Sequence, residues 1–180
     1  MRVRSVFLLW LLVLSPLTTI AEKQFQFPRP QGWVNDFAKA IRAEAKKTMT
    51  DLCAEVDEKT HAQIAIVTIS STGQTPIADY ATSLFNEWGI GHRDDNRGML
   101  ILLATSDHNW RIATGRGLES LFSDERVARI GAEMVPDLKQ KRYSEALLHA
   151  TSEIAEIIAK ERGVTLATIE KINATKPAIH

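Results

Sequence analysis

Six consecutive apolar residues, Met99–Ala104, constrain this chain more than any other feature. The run is too short for a typical buried helix and lacks the alternation of a half-exposed strand. It reads as a strand covered on both faces, as in a sheet sandwiched between helices. Its flanks are polar. The turn Asp94-Asp95-Asn96-Arg97-Gly98 leads in and Ser106-Asp107-His108-Asn109 leads out. Trp110–Thr114 then returns as a hairpin partner and leaves through Gly115-Arg116-Gly117-Leu118-Glu119.

Upstream, Gln63–Ile69 is rich in isoleucine and valine and predicts another strand. Ala45, Met49, Leu52, Cys53 and Val56 recur at helical spacing, predicting a helix over about 43–59, or from near Asp36 if Phe37 and Ile41 extend the stripe. Thr75-Pro76 opens a second helix that puts Ile77, Tyr80, Ala81, Leu84, Phe85 and Trp88 on one face, and Gly89 stops it. After Ser123, Val127, Ile130 and Met134 share a face until Pro136, which is expected to end or kink the helix. A last helix runs from about Ser144 to Arg162, with Leu147, Ile154, Ile157 and Ile158 inward. Strand, helix, strand predicts a parallel pair joined by a right-handed crossover. The expected fold is a three-layer α/β/α sandwich around a small mixed sheet.

Residues 1–21 read as a cleaved signal peptide. Arg2 and Arg4 precede the apolar stretch Val6–Leu14, Pro16 breaks it, and Thr19-Ile20-Ala21 offers small residues for cleavage. Residues 22–32 form an extended leader, 33–163 the domain and 164–180 a loosely held tail. Removing the signal leaves 20 basic against 22 acidic groups, a net −2, with none of the basic stripe that a nucleic-acid binder needs. The expected location is the periplasm or the exterior, with no membrane span after signal cleavage. Cys53 is the only cysteine, so no internal disulfide forms, and its place in the apolar stripe marks it as packing.

Val34-Asn35-Asp36, Gln63-Ile64, Tyr80-Ala81 with Leu84-Phe85, Trp88-Gly89-Ile90-Gly91, Asp95-Asn96, Arg111-Ile112, Gly115-Arg116-Gly117-Leu118-Glu119 and Asp124 form an ordered set. That set resembles the TPM domain family, named for a thylakoid lumen protein, a photosystem II repair factor and a nematode receptor modulator. The resemblance covers roughly 32–161. It implies an α/β/α sandwich and uneven functions: some members bind calcium, a plant member is described as an acid phosphatase, and others act in repair or receptor modulation without established catalysis. Many bacterial relatives add a membrane helix and a glycine-rich tail. Neither is present here, so a released, soluble protein is expected. The chain departs from the family pattern by inserting Arg97 before Gly98 and by placing Arg116 where an aromatic residue is usual. Two added cations there are expected to weaken a cation site or to favour an anionic ligand.

Asp94, Asp95 and the Asn96 carbonyl are hard oxygen donors of the kind calcium takes. Antiparallel pairing of the hairpin brings Glu119 to the same rim, and Asp124 from the next helix start. The competing reading is a solvated turn with a surface carboxylate. Asp36 either caps the first helix or, if 34–41 folds back, joins the acidic turn; the resemblance adds it to the set. The expected metal ligands are therefore Asp36, Asp94, Asp95, Asn96 and Glu119, with calcium the cofactor considered and no nucleotide or organic cofactor. Gly115-x-Gly117 lacks the third glycine of a dinucleotide fingerprint. Asp107-His108 reads as a solvated turn, and His61 and His92 as isolated surface residues. No catalytic residue is identifiable. The favoured function is a calcium-steadied, non-catalytic module that binds an envelope protein. The alternative is a metal-dependent acid phosphatase acting on a small phosphomonoester through a metal-bound water.

Overall fold

The computed structural model describes residues 27–175. The signal expected over 1–21 lies outside them, as do the beginning of the leader and the last residues of the tail. The elements in order are β1 (Val34–Asp36), α1 (Ala43–Thr60), β2 (Gln63–Ile69), α2 (Ile77–Trp88), β3 (Gly98–Ala104), β4 (Asn109–Thr114), a 3₁₀ turn (Arg116–Leu118), α3 (Asp124–Lys139), α4 (Tyr143–Arg162) and α5 (Ala167–Thr175).

The sheet order is β1-β2-β3-β4, the first three strands parallel and the last antiparallel. All seven residues of β3 are buried, which is why its sequence does not alternate. Ile64, Ile66, Met99, Ile101 and Ile112 face one layer with α1, α3 and α4. Ala65, Val67, Leu100 and Leu102 face the other with α2, whose inward set is the one its spacing predicts. The architecture is the expected mixed sheet covered on both sides. Because α1 and α2 lie on opposite faces while both connections step the same way across the sheet, the two crossovers have opposite hands, and one departs from the usual right-handed rule.

Four details differ from the sequence reading. Val34–Asp36 is a strand, added to β2 in the register Val34↔Ile66, rather than a helix start or a folded-back segment. Pro76 itself occupies the cap position of α2, with no side-chain cap from Thr75. Helix α3 continues through Pro136 to Lys139, so the proline opens the last turn and does not end the helix. Part of the expected tail is helix α5. Leu166 and Ile169 are buried in the core, and the Ala167 and Thr168 amides donate to the Glu55 carboxylate at 2.7 and 2.9 Å. Among the described residues, no helix is long and apolar enough to cross a membrane.

Candidate metal centre

Three segments meet at the rim where β2 and β3 begin. The first is the last turn of α1. Asp57 and His61 are four residues apart and so share a helical face. His61 caps the helix in the left-handed conformation (φ 57°), its amide donating to the Asp57 carbonyl. The second is the chain after α2. Gly91 has φ 98°, and a Cβ there would lie 2.8 Å from the Gly98 nitrogen, so only glycine lets this segment run against the start of β3. The Gln63 carboxamide oxygen accepts the Gly91 amide at 2.9 Å and fixes the segment that delivers His92. The third is the acidic turn.

His92 Nε2 lies 2.6 Å from Asp57 Oδ1, and the His61 and His92 rings stack with centroids 3.7 Å apart and planes 8° from parallel. His61 Nε2 lies 3.5 Å from Asp94 Oδ2. The hydrogen bond to Asp57 raises the His92 pKa above its ordinary value; partial burial opposes this, while the charges of Asp57, Asp94 and Asp95 add to it. The Nε2 proton is therefore directed at Asp57. The Gln63 amide nitrogen, 3.3 Å away, is then a neighbour rather than a donor.

Backbone contacts key the acidic turn into the sheet. Asp94 Oδ1 accepts the Asp95 amide and Asp95 Oδ1 accepts the Arg97 amide, each at 3.1 Å. Asn96 has φ 51°, and its carbonyl accepts the Gly117 amide at 3.1 Å. Cβ atoms on Gly115 and Gly117 would lie 2.4 Å from the Asn96 oxygen and 2.1 Å from the Asp95 oxygen. Two backbones touch here, and side chains are excluded by space.

Among the described residues, two sets at this rim have ligand atoms mutually within 4.8 Å: Asp57 with His61 and His92, and His61 with Asp94 and Asp95. Asp94 and Asp95 are thus gathered, but by histidines rather than by the other expected oxygens. The Asn96 carbonyl already serves Gly117. Glu119 and Asp124 face a groove beside β4 and belong to neither set. Asp36 is at the far end of the sheet: it pairs with Thr68, whereas Gln63 pairs with Gly98 at the rim. Five residues of strand put it roughly 16 Å away. Its oxygens accept the Ala40 and Ile41 amides at 2.9 and 3.0 Å and the Thr68 hydroxyl at 2.5 Å, so its role is to cap the chain entering α1.

Arg97 does not neutralise the turn as expected. Its side chain is 8% exposed and pairs with Glu161 of α4 at 2.8 Å. Asp107 is not merely solvated, since it accepts the Thr72 amide at 2.8 Å and ties the hairpin turn to the loop before α2. His61 and His92 are not isolated; sequence reasoning passed over them because 31 positions separate them. The available signal was the Asp57-x-x-x-His61 spacing at a helix end. A third set, Glu133, His149 and Glu153, has both carboxylates paired with the Arg129 guanidinium, which occupies the place of an ion.

Each of the two triads mixes imidazole nitrogen with carboxylate oxygen, and His61 belongs to both. Calcium selects oxygens alone, whereas zinc and its first-row neighbours take imidazole with carboxylate. By donor type the residues suit a zinc-class ion better than calcium, and the stacked His61 and His92 rings, 8° from parallel, would have to turn for both to face one ion.

The TPM domain family matches residues 34–157. No curated protein matches the chain at a significant level. Three solved structures share the fold. The N-terminal domain of a protein from P. gingivalis is 24% identical with a TM-score of 0.68, covering 73% of this chain and 85% of its own. The N-terminal domain of the cg2496 protein from Corynebacterium glutamicum is 15% identical with a TM-score of 0.57, covering 81% and 88%. The BA42 protein from the psychrophilic bacterium Bizionia argentinensis is 20% identical with a TM-score of 0.58, covering 67% and 82%.

Proposed function

Since the chain belongs to the TPM domain family, we propose that it is a divalent-cation-binding, non-catalytic module of the cell envelope that recognises a protein partner. The observation that carries the cation half is a pair of triads sharing His61, Asp57 with His61 and His92 and His61 with Asp94 and Asp95, drawn from three separate segments. The ion would replace the Asp57–His92 hydrogen bond and tie the end of α1 to the turn before β3. Holding those segments together is a steadying role, which suits a binding module. Export rests on the signal reading of residues 1–21.

Thermal unfolding with added zinc and calcium tests the cation. A ligand at 100 times its Kd stabilises by about 2.7 kcal/mol. Zinc should raise the Tm of the wild-type chain, and His92→Ala and Asp95→Ala should each reduce the rise. A calcium response lost only in Asp95→Ala would restore the all-oxygen site. No response to either ion would remove the cation half of the reading.

One observation favours the phosphatase alternative: Asp57, His61 and His92 are three in number, the count of protein ligands that catalytic zinc sites use beside a water. A bound metal would supply an acidic water there. Zinc-dependent phosphate release from a generic monoester, lost in His92→Ala, would establish it. Its absence would leave the binding reading alone.

A further inference from the structure

The outer edge of β4 pairs with no other strand among the described residues, and its middle is recessed, with Ile112 2% exposed. The Gly115 amide bonds to the Gly98 carbonyl, so the strict alternation of an antiparallel ladder turns Asn109, Arg111 and Ala113 toward β3 and Trp110, Ile112 and Thr114 outward. The Trp110 amide is taken by the Asn109 side chain at 2.9 Å. The amides and carbonyls of Ile112 and Thr114 have no partner among the described residues. They lie along a groove of about 740 Å³ walled by Thr82 of α2 on one side and by Phe122 and Val127 on the other. Glu119 and Asp124 stand at the Thr114 end and Arg111 beside the middle, none of the three ion-paired among the described residues.

We propose that this groove binds an extended peptide, which adds to the sheet as an antiparallel fifth strand. The proposal rests on the binding-module reading and gives the partner its chemistry. An unpaired edge is a template for strand addition, with backbone bonds giving affinity and side-chain positions giving selectivity. Register fixes those positions. The residue opposite Thr114 approaches Glu119 and Asp124 and should be basic. The one opposite Ile112 meets Phe122 and Val127 and should be a β-branched aliphatic. The one opposite Arg111 should be acidic. A second copy of this chain does not fit, because its own β4 is recessed between the same walls and two recessed edges cannot meet.

The test uses Ac-Lys-Thr-Val-Glu-Thr-NH₂ and its charge-exchanged isomer Ac-Glu-Thr-Val-Lys-Thr-NH₂, titrated into ¹⁵N-labelled protein with and without zinc. The first should move the Ile112 and Thr114 amide signals and bind about fivefold tighter than the isomer, the difference expected for exposed charge pairs reversed in sign. N-methylation of its valine, which removes the bond to the Ile112 carbonyl, should weaken binding about tenfold. No movement at Ile112 and Thr114 up to millimolar peptide overturns the proposal, as does equal binding of both isomers. Concentration-dependent shifts of those amides without peptide would also overturn it, since a second copy would then be the occupant. Peptide binding without any zinc response keeps this site and discards the cation reading. Zinc binding without peptide binding does the reverse.

Discussion

Gly117→Ala should damage both stability and the metal rim. Neither Gly115 nor Gly117 has a backbone angle that bars other residues, so the requirement here is space. An alanine Cβ at 117 would sit 2.1 Å from the Asp95 carbonyl oxygen and 2.8 Å from Arg97 Cγ. Relief to an ordinary contact needs a shift of about 1 Å, and neither neighbour is a free side-chain end: one is backbone, the other the buried stem of Arg97. Overpacking of this kind costs about 1–3 kcal/mol. The same shift stretches the bond from the Gly117 amide to the Asn96 carbonyl, worth about 1 kcal/mol. The total is about 2–4 kcal/mol, and with a urea m-value of about 2 kcal/mol/M the midpoint should fall by about 1–2 M. Zinc affinity should fall too, because Asp94 and Asp95 ride on the displaced turn. Gly163→Ala is the control: φ is 66° with nothing within 4 Å, so its cost is local strain of about 1 kcal/mol with zinc binding intact. A Gly117→Ala chain within about 0.5 kcal/mol of wild type and unchanged toward zinc would refute the keyed turn.

Other consequences are open to measurement. Glu161→Ala strands the Arg97 guanidinium, whose Nε already lacks a partner, and should cost about 2–3 kcal/mol in urea unfolding, below the usual buried-pair value because Glu161 is a third exposed. Arg97→Met, which removes the charge instead, should cost less. Burial works against ionisation of Glu55, but Lys59 and the amides of Thr168 and Ala167 outweigh it and lower its pKa to about 2. With the folded value depressed, its contribution is complete above the unfolded value of about 4.5 and is lost as pH falls toward 2. Hydrogen exchange at Ala167 and Thr168 should therefore accelerate in that window relative to the sheet, and Glu55→Ala should show the same acceleration at neutral pH. Burial pushes the Cys53 thiol pKa up, so thiol reagents should label it only at the rate of global unfolding.

What the sequence disclosed was whatever it encodes locally. Gln63–Ile69 carries its own β propensity, and its predicted ends match β2. The inward stripe of α2 follows from spacing alone. β1 could not be read, because Val-Asn-Asp has no period and becomes a strand only by pairing with the free side of β2. α5 was equally hidden, since the carboxylate that receives its first amides lies 112 positions upstream. The rim was half visible. Asp94 and Asp95 announce themselves as a run, but His61 and His92 are single residues in unrelated contexts, and only the ends of two helices bring their rings together. Asp36 was misplaced for the complementary reason: a polar residue beside a family motif carries no mark of which end of the sheet it occupies.

The opposite hands of the two crossovers have a consequence for that rim. Here α1 descends one face and α2 the other, and both finish at the same rim, capped by His61 and Gly89. Each finish exposes carbonyl oxygens carrying a partial negative charge, the reverse of the amide-lined cradles that hold phosphates. The backbone alone thus sets a potential that favours positive charge in the gap, on the side where the proposed site stands.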